Sequence, residues 1–131
     1  MISQFERGWN GYQGTTKEHA ILARSLGVTQ LIVAFNKLEK LEWSKERYDF
    51  VSHQLEAYLT AIGFKKSDLT FIPISGLTGE NLCERSKNEN LMAWYGKDSP
   101  CLLEVLDSLR LPQRTYVKPL RATISEYCPK S

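Results

Sequence analysis

Asn36, Lys37 and Glu39 follow the apolar run Leu31-Ile32-Val33-Ala34-Phe35, and Ser75-Gly76-Leu77 follows a second apolar run that ends at Ile74. These residue types, at two such tips, can read a purine base. A base with a ring N–H beside an exocyclic amino group offers two adjacent donors. One carboxylate accepts both in a bidentate, charge-assisted pair, and Glu39 has the chemistry for it. A base without that pair would leave the carboxylate desolvated and unpaired, so the site rejects it. The donor pair is that of guanine, and adenine lacks it. The Asn36 amide can serve the base's other polar edge and tie neighbouring loops together. Lys37 can lay its methylene stem along the ring face with its ammonium in water. A backbone N–H of the Ser75-Gly76-Leu77 loop can donate to the guanine carbonyl.

Such tips need a scaffold that places them side by side. A five-residue apolar, β-prone run such as Leu31–Phe35 is too short for a helix and reads as a buried strand. Thr70–Ile74 reads as a second strand, with Pro73 at an edge or a strand end. Thr15, three residues before Glu18, opens a helix whose Ile21, Leu22 and Leu26 share a face and which Gly27 terminates. Ser44 caps a helix over about residues 45–62, with Val51, Leu55, Tyr58, Leu59 and Ile62 at helical spacing and Gly63 at its end. Residues 80–98 contain one short helix that carries Trp94 and Tyr95, expected to pack in the core. Ser99-Pro100 reads as a cap and first-turn proline of a helix bearing Leu102, Leu103, Val105, Leu106 and Leu109. Pro112-Gln113-Arg114 reads as a linker, and residues 119–128 alternate like a strand that begins another unit. Strand, helix, parallel strand makes an open α/β fold, in which ligands sit beyond the carboxyl ends of the strands. Two strands are few for such a sheet, so the core reads as incomplete.

Composition narrows the function classes. A chain of 131 residues is about one domain, and its 17 Lys+Arg against 15 Asp+Glu leave a net charge of +2. That charge is too small for electrostatics alone to imply nucleic-acid or membrane binding, and direct DNA binding is not expected. Cys83, Cys101 and Cys128 are widely spaced and form no C-x-x-C pair, which reads as free thiols in a reducing compartment. His19 and His53 are not at metal-ligand spacing, so no metal site is expected from this chain's residues. No apolar run approaches a membrane span, and the amino terminus carries no signal-peptide pattern. A cytoplasmic location is expected.

Longer runs resemble a known family. Thr16 to Val28, followed by Ile32 to Lys37, is similar to the helix and base-specificity strand of translational GTPases of the elongation factor 1-alpha group. The run Phe71-Ile72-Pro73-Ile74-Ser75-Gly76-Leu77-Thr78-Gly79-Glu80-Asn81-Leu82 looks like the last strand of that G domain and its loop. Trp94-Tyr95, Leu102-Leu103-Glu104 and Pro119-Leu120-Arg121 resemble the final helix and the entry into a β-barrel second domain. Trp43-Ser44 with Gly63-Phe64-Lys65 is most similar to the Hbs-type branch, the Pelota-partnered factors of ribosome rescue, with eukaryotic release factor 3 as kin.

The resemblance implies the carboxyl half of a P-loop-type GTPase G domain with a three-layer, mostly parallel sheet. Residues 1–111 would form this partial domain, and residues 112–131 the linker and first strand of domain 2. It further implies GTP or GDP binding, GTP hydrolysis on the ribosome with Mg²⁺, a Pelota-like decoding partner, and a role in ribosome rescue and mRNA surveillance. Guanine-binding positions carry over as Asn36, Lys37, Glu39, Ser75, Gly76 and Leu77.

The chain also departs from the family pattern. Glu39 stands where Asp is usual, and its extra methylene moves the carboxylate by roughly 1.5 Å, a bond length. No G-x-x-x-x-G-K-[ST] phosphate loop and no D-x-x-G element occur in the 131 residues, and no threonine-bearing switch segment is recognisable. Phosphoryl transfer depends on those electrostatic contacts, so no catalytic residue is assigned and the chain alone is expected not to hydrolyse GTP. A second reading is a non-catalytic interaction module that keeps surfaces for the ribosome or a partner. A third is an unrelated α/β domain without a ligand.

Overall fold

The computed structural model describes residues 15–111 and residue 119. The linker and domain-2 strand expected in residues 112–131 therefore lie outside the described residues, Pro119 excepted. Helix α1 (Thr15–Ser25) leads to strand β1 (Leu31–Phe35), a 3-10 turn (Leu38–Leu41) and helix α2 (Lys45–Ala61). A short 3-10 turn (Lys66–Asp68), strand β2 (Leu69–Pro73), helix α3 (Glu89–Tyr95) and helix α4 (Leu102–Asp107) follow.

The two strands pair in parallel with Leu31 opposite Leu69 and Phe35 opposite Pro73, so α2 is the crossover of a βαβ unit. Pro73 is the last residue of β2, where a missing N–H costs no ladder bond. The Ile74 N–H still donates to Phe35 O at 2.9 Å, and both strands therefore end level with each other. The ends of α2 follow from local chemistry. Ser44 Oγ accepts from the Arg47 N–H at 3.3 Å, and Gly63 leaves the helix at φ +101°, a conformation that glycine adopts at little cost.

Two apolar clusters flank the sheet and meet at Tyr95. Leu38, Trp43 and Leu91 pack with Phe35, Tyr48, Trp94 and Tyr95. Ile72, Ile74 and Val105 pack with Ile32, Leu82, Tyr95 and Leu102. The aromatic chain is continuous, with ring centroids 4.8 Å apart for Phe35–Tyr48 and 4.9 Å for Tyr48–Trp94. Trp94 Nε1 donates to Trp43 O at 2.7 Å, which ties α3 to the turn after β1. Trp94 and Tyr95 are thus packed, as expected. At the far end, Gln30 and Arg110 exchange two hydrogen bonds of 2.6 and 3.0 Å, joining the start of β1 to the chain beyond α4.

Three expectations change. β1 is half-buried rather than buried, with Ala34 exposed, because β2 is its only neighbour among the described residues. The apolar face of α1 is open: Ile21, Leu22 and Leu26 are 51%, 55% and 75% exposed. What holds α1 is polar and aromatic, with Tyr58 donating to Lys17 O at 3.2 Å and the Arg24 guanidinium over the Phe64 ring. Finally, Ser99-Pro100 does not cap α4. The Ser99 hydroxyl donates back to Tyr95 O at the end of α3. Cys101 is the N-cap instead, its N–H donating to Glu104 Oε2 at 2.9 Å.

Candidate guanine-binding site

The carboxyl ends of β1 and β2 bring the two predicted tips together. Asn36 Oδ1 accepts from the Gly76 N–H at 2.9 Å and from the Lys37 N–H at 2.8 Å. One side-chain oxygen thus joins the loops, the tying role expected of this amide. Among the described residues, Asn36 Nδ2 has no acceptor and can serve the polar edge of a base. Gly76 packs against this amide, and a Cβ there would lie 3.5 Å from Asn36 Nδ2, an ordinary contact.

Lys37 is in the left-handed region at φ 71°, where it turns the chain into the 3-10 turn; its side chain is exposed. The turn buries Leu38 in the aromatic cluster and fixes the direction of the next residue, Glu39. Both Glu39 carboxylate oxygens are shielded from solvent, and neither accepts a hydrogen bond. A shielded carboxylate without donors is costly, and native chains rarely leave one so without a reason. Two donors presented side by side would satisfy it.

The second loop is a closed ring. Ser75, fully buried, donates its N–H to Glu80 O at 3.1 Å and accepts from the Gly79 N–H at 2.9 Å. Its hydroxyl accepts from the Thr78 N–H at 3.3 Å. With Ser75 N–H and Gly76 N–H both engaged, the Leu77 N–H is the tip donor without an acceptor among the described residues. Leu77 is 81% exposed, at the tip of the loop.

Sequence reasoning assigned no role to Glu80 and Asn81, which hold this ring. Glu80 Oε1 accepts from Ser86 Oγ at 2.6 Å and from the Lys87 N–H at 3.0 Å. Asn81, buried and left-handed at φ 58°, donates through Nδ2 to Pro73 O at 2.8 Å. The signal in the sequence was an Asn two residues after Gly79, and asparagine tolerates the left-handed region. Nearby, burial raises Tyr95 above the ordinary phenol value, with the Asn81 side chain opposing the shift. Burial likewise raises Tyr48, helped by Tyr95 and Asp49.

A scaffold that joins two parallel strand tips through an asparagine side chain has relatives. The description "Elongation factor Tu GTP binding domain" fits residues 7–129 of the chain. The chain belongs to that family. Within it, the chain is 43% identical over 123 residues to Protein HBS1 of Drosophila melanogaster, covering 94% of the chain and 18% of that protein. It is 46% identical over 125 residues to elongation factor 1-alpha of Desulfurococcus mucosus, with coverages of 94% and 27%. Among solved structures, sup35 complexed with GDP superposes with a TM-score of 0.71 at 36% identity, over 82% of this chain and 26% of that one. The chain therefore spans about a fifth to a quarter of the length of these relatives. The family is one of GTP-binding translational GTPases, and the chain's α/β fold with parallel strands is that of the family.

Among the described residues, no group of three or more His, Cys, Asp or Glu side chains is placed to hold a metal ion such as Mg²⁺. No step is assigned to that ion here. No helix among the described residues is long and apolar enough to cross a membrane.

Proposed function

We propose that this chain is the base-reading part of a guanine-nucleotide-binding translation factor. Glu39 accepts the ring N–H and exocyclic amino group of guanine, Asn36 serves the base's other polar edge, and the Lys37 stem covers a ring face. Ser75 and Gly76 hold the second loop in place, and the Leu77 N–H donates to the guanine carbonyl. The observation that supports this reading most directly is the joining of the two strand-end loops by Asn36 Oδ1, which accepts the Gly76 N–H at 2.9 Å. GTP or GDP is the ligand. The 131 residues contain no G-x-x-x-x-G-K-[ST] loop to cradle phosphates, so we assign base selection to this chain and no hydrolysis. A non-catalytic interaction module is the second reading, favoured by Glu39 in place of the usual Asp.

The setting we propose is ribosome rescue and mRNA surveillance in the cytoplasm, with a Pelota-like decoding factor as partner; the resemblance to the Hbs-type branch supports it. We place the end of the G-domain part at residue 111, after α4, and the entry to a second domain at 112–131. Cosedimentation of the chain with ribosomes, with and without such a partner, tests this setting. Absence from the ribosomal pellet in both cases would contradict it.

The ligand is tested by titrating fluorescent GDP and ADP against the purified chain. The reading expects GDP to bind about tenfold or more tightly, the worth of a charge-assisted pair, with no GTP turnover. Equal binding of both nucleotides would defeat base reading, and turnover would defeat the non-catalytic assignment.

A further inference from the structure

We infer that Asn81 is a positioning residue for the base-reading loop, acting through the end of β2 and the start of α4. The inference rests on the base-reading role proposed above. β1 pairs with one side of β2, and on that side Ile74 N–H meets Phe35 O. The carbonyl of Pro73 is taken instead by Asn81 Nδ2 at 2.8 Å. The same residue uses its backbone oxygen to accept the Leu102 N–H, the first of α4, at 3.0 Å. Leu82 O then accepts the Leu103 N–H at 2.9 Å, so two consecutive carbonyls dock onto the helix start.

These bonds clamp one end of the loop whose other end is held by Asn36 Oδ1 on Gly76 N–H. Between the clamps lie Gly76 to Glu80 and the Leu77 donor. Asn81 is almost wholly buried and its Oδ1 has no hydrogen bond; its side chain also interacts with the Tyr95 hydroxyl, which itself donates to Pro100 O at 3.0 Å. The donated bond to Pro73 O is the side chain's tie to the end of β2. Loss of that bond frees the carbonyl side of the base site and spares the Glu39 side, which is anchored on Leu38 in a different cluster.

The test uses Asn81→Ala and the equal-sized Asn81→Asp, which keeps an acceptor but removes the donor to Pro73 O. Amide hydrogen exchange is measured without ligand, and binding is measured with guanosine, 6-thioguanosine and inosine. Both variants are expected to speed exchange at Ser75 and Gly79 by about tenfold, one hydrogen bond's worth, with α2 amides unchanged. The guanosine to 6-thioguanosine ratio, which reads the carbonyl contact, should fall toward one. The guanosine to inosine ratio, which reads the exocyclic amine at Glu39, should persist. Unchanged exchange at Ser75 and Gly79, wild-type behaviour of Asn81→Asp, or a parallel fall of both ratios would each overturn the role. Failure of the parent chain to prefer guanosine sinks the base-reading role and with it this one; the exchange measurement still shows separately whether Asn81 holds the loop.

Discussion

Glu39 carries the account at the scale of single residues, and its position involves a trade. A shielded carboxylate with no donor lowers the stability of the ligand-free chain. Glu39→Met should therefore raise the ligand-free unfolding free energy by about 1–3 kcal/mol while abolishing preference for guanosine over adenosine. Chemical denaturation and nucleoside titration of the same preparation measure the two effects. A stability loss with intact selectivity would place the carboxylate elsewhere in the account. Gly76 makes a second case: a Cβ meets the Asn36 amide at 3.5 Å, which is ordinary contact. Gly76→Ala is expected to change stability by less than about 1 kcal/mol and to keep base preference, as read by thermal unfolding and titration. The residue types at both tips were legible in the sequence. The shielding of Glu39 was not, because it arises from a 3-10 turn anchored by Leu38 against Trp43 and Leu91, more than fifty residues from end to end.

At the scale of elements, short-range signals read well where they acted locally. Leu31–Phe35 is the strand that its apolar run predicts, β2 begins one residue before the expected Thr70, and Ser44 caps α2 as its spacing requires. Ser44→Ala should cost about 1 kcal/mol in unfolding free energy; no measurable loss would contradict the cap. The start of α4 was misread because Ser99 turns back to α3, which only tertiary contact reveals. Its true cap involves Glu104, which accepts from Cys101 N–H and from Arg85 Nε at 3.0 Å. The Arg85 bond, followed by the Cys101 N–H, holds the Glu104 carboxyl down at about 2. A depressed carboxyl favours the folded state above its unfolded value near 4.5 and loses that contribution as pH falls toward 2. Across that window the wild-type unfolding midpoint should fall more steeply than that of Glu104→Gln. Parallel curves would show that the pair contributes nothing.

At the largest scale, the two clusters of the described residues meet at Tyr95 around a sheet of two strands, while Ile21, Leu22 and Leu26 face outward. That balance was partly legible: two strands predicted an incomplete core, yet the apolar stripe of α1 promised burial that the described residues do not supply. Fold class follows from the strand–helix–strand order, whereas which apolar face is covered depends on neighbours that periodicity cannot name. With so small a core, each buried side chain weighs heavily. Leu91, fully buried between the aromatic rings, should cost about 2–5 kcal/mol on truncation to Ala, measured by denaturant unfolding. The central claim is that the two loops select guanine by contacts at Glu39 and Leu77. Its most direct test is a guanosine titration of isotope-labelled protein, following the Glu39 side-chain carboxyl carbon and the Leu77 amide by NMR. Guanosine is expected to shift both signals together along one binding curve, and adenosine to move neither. Equal responses to the two nucleosides, or guanosine binding that leaves Glu39 and Leu77 still, would contradict it.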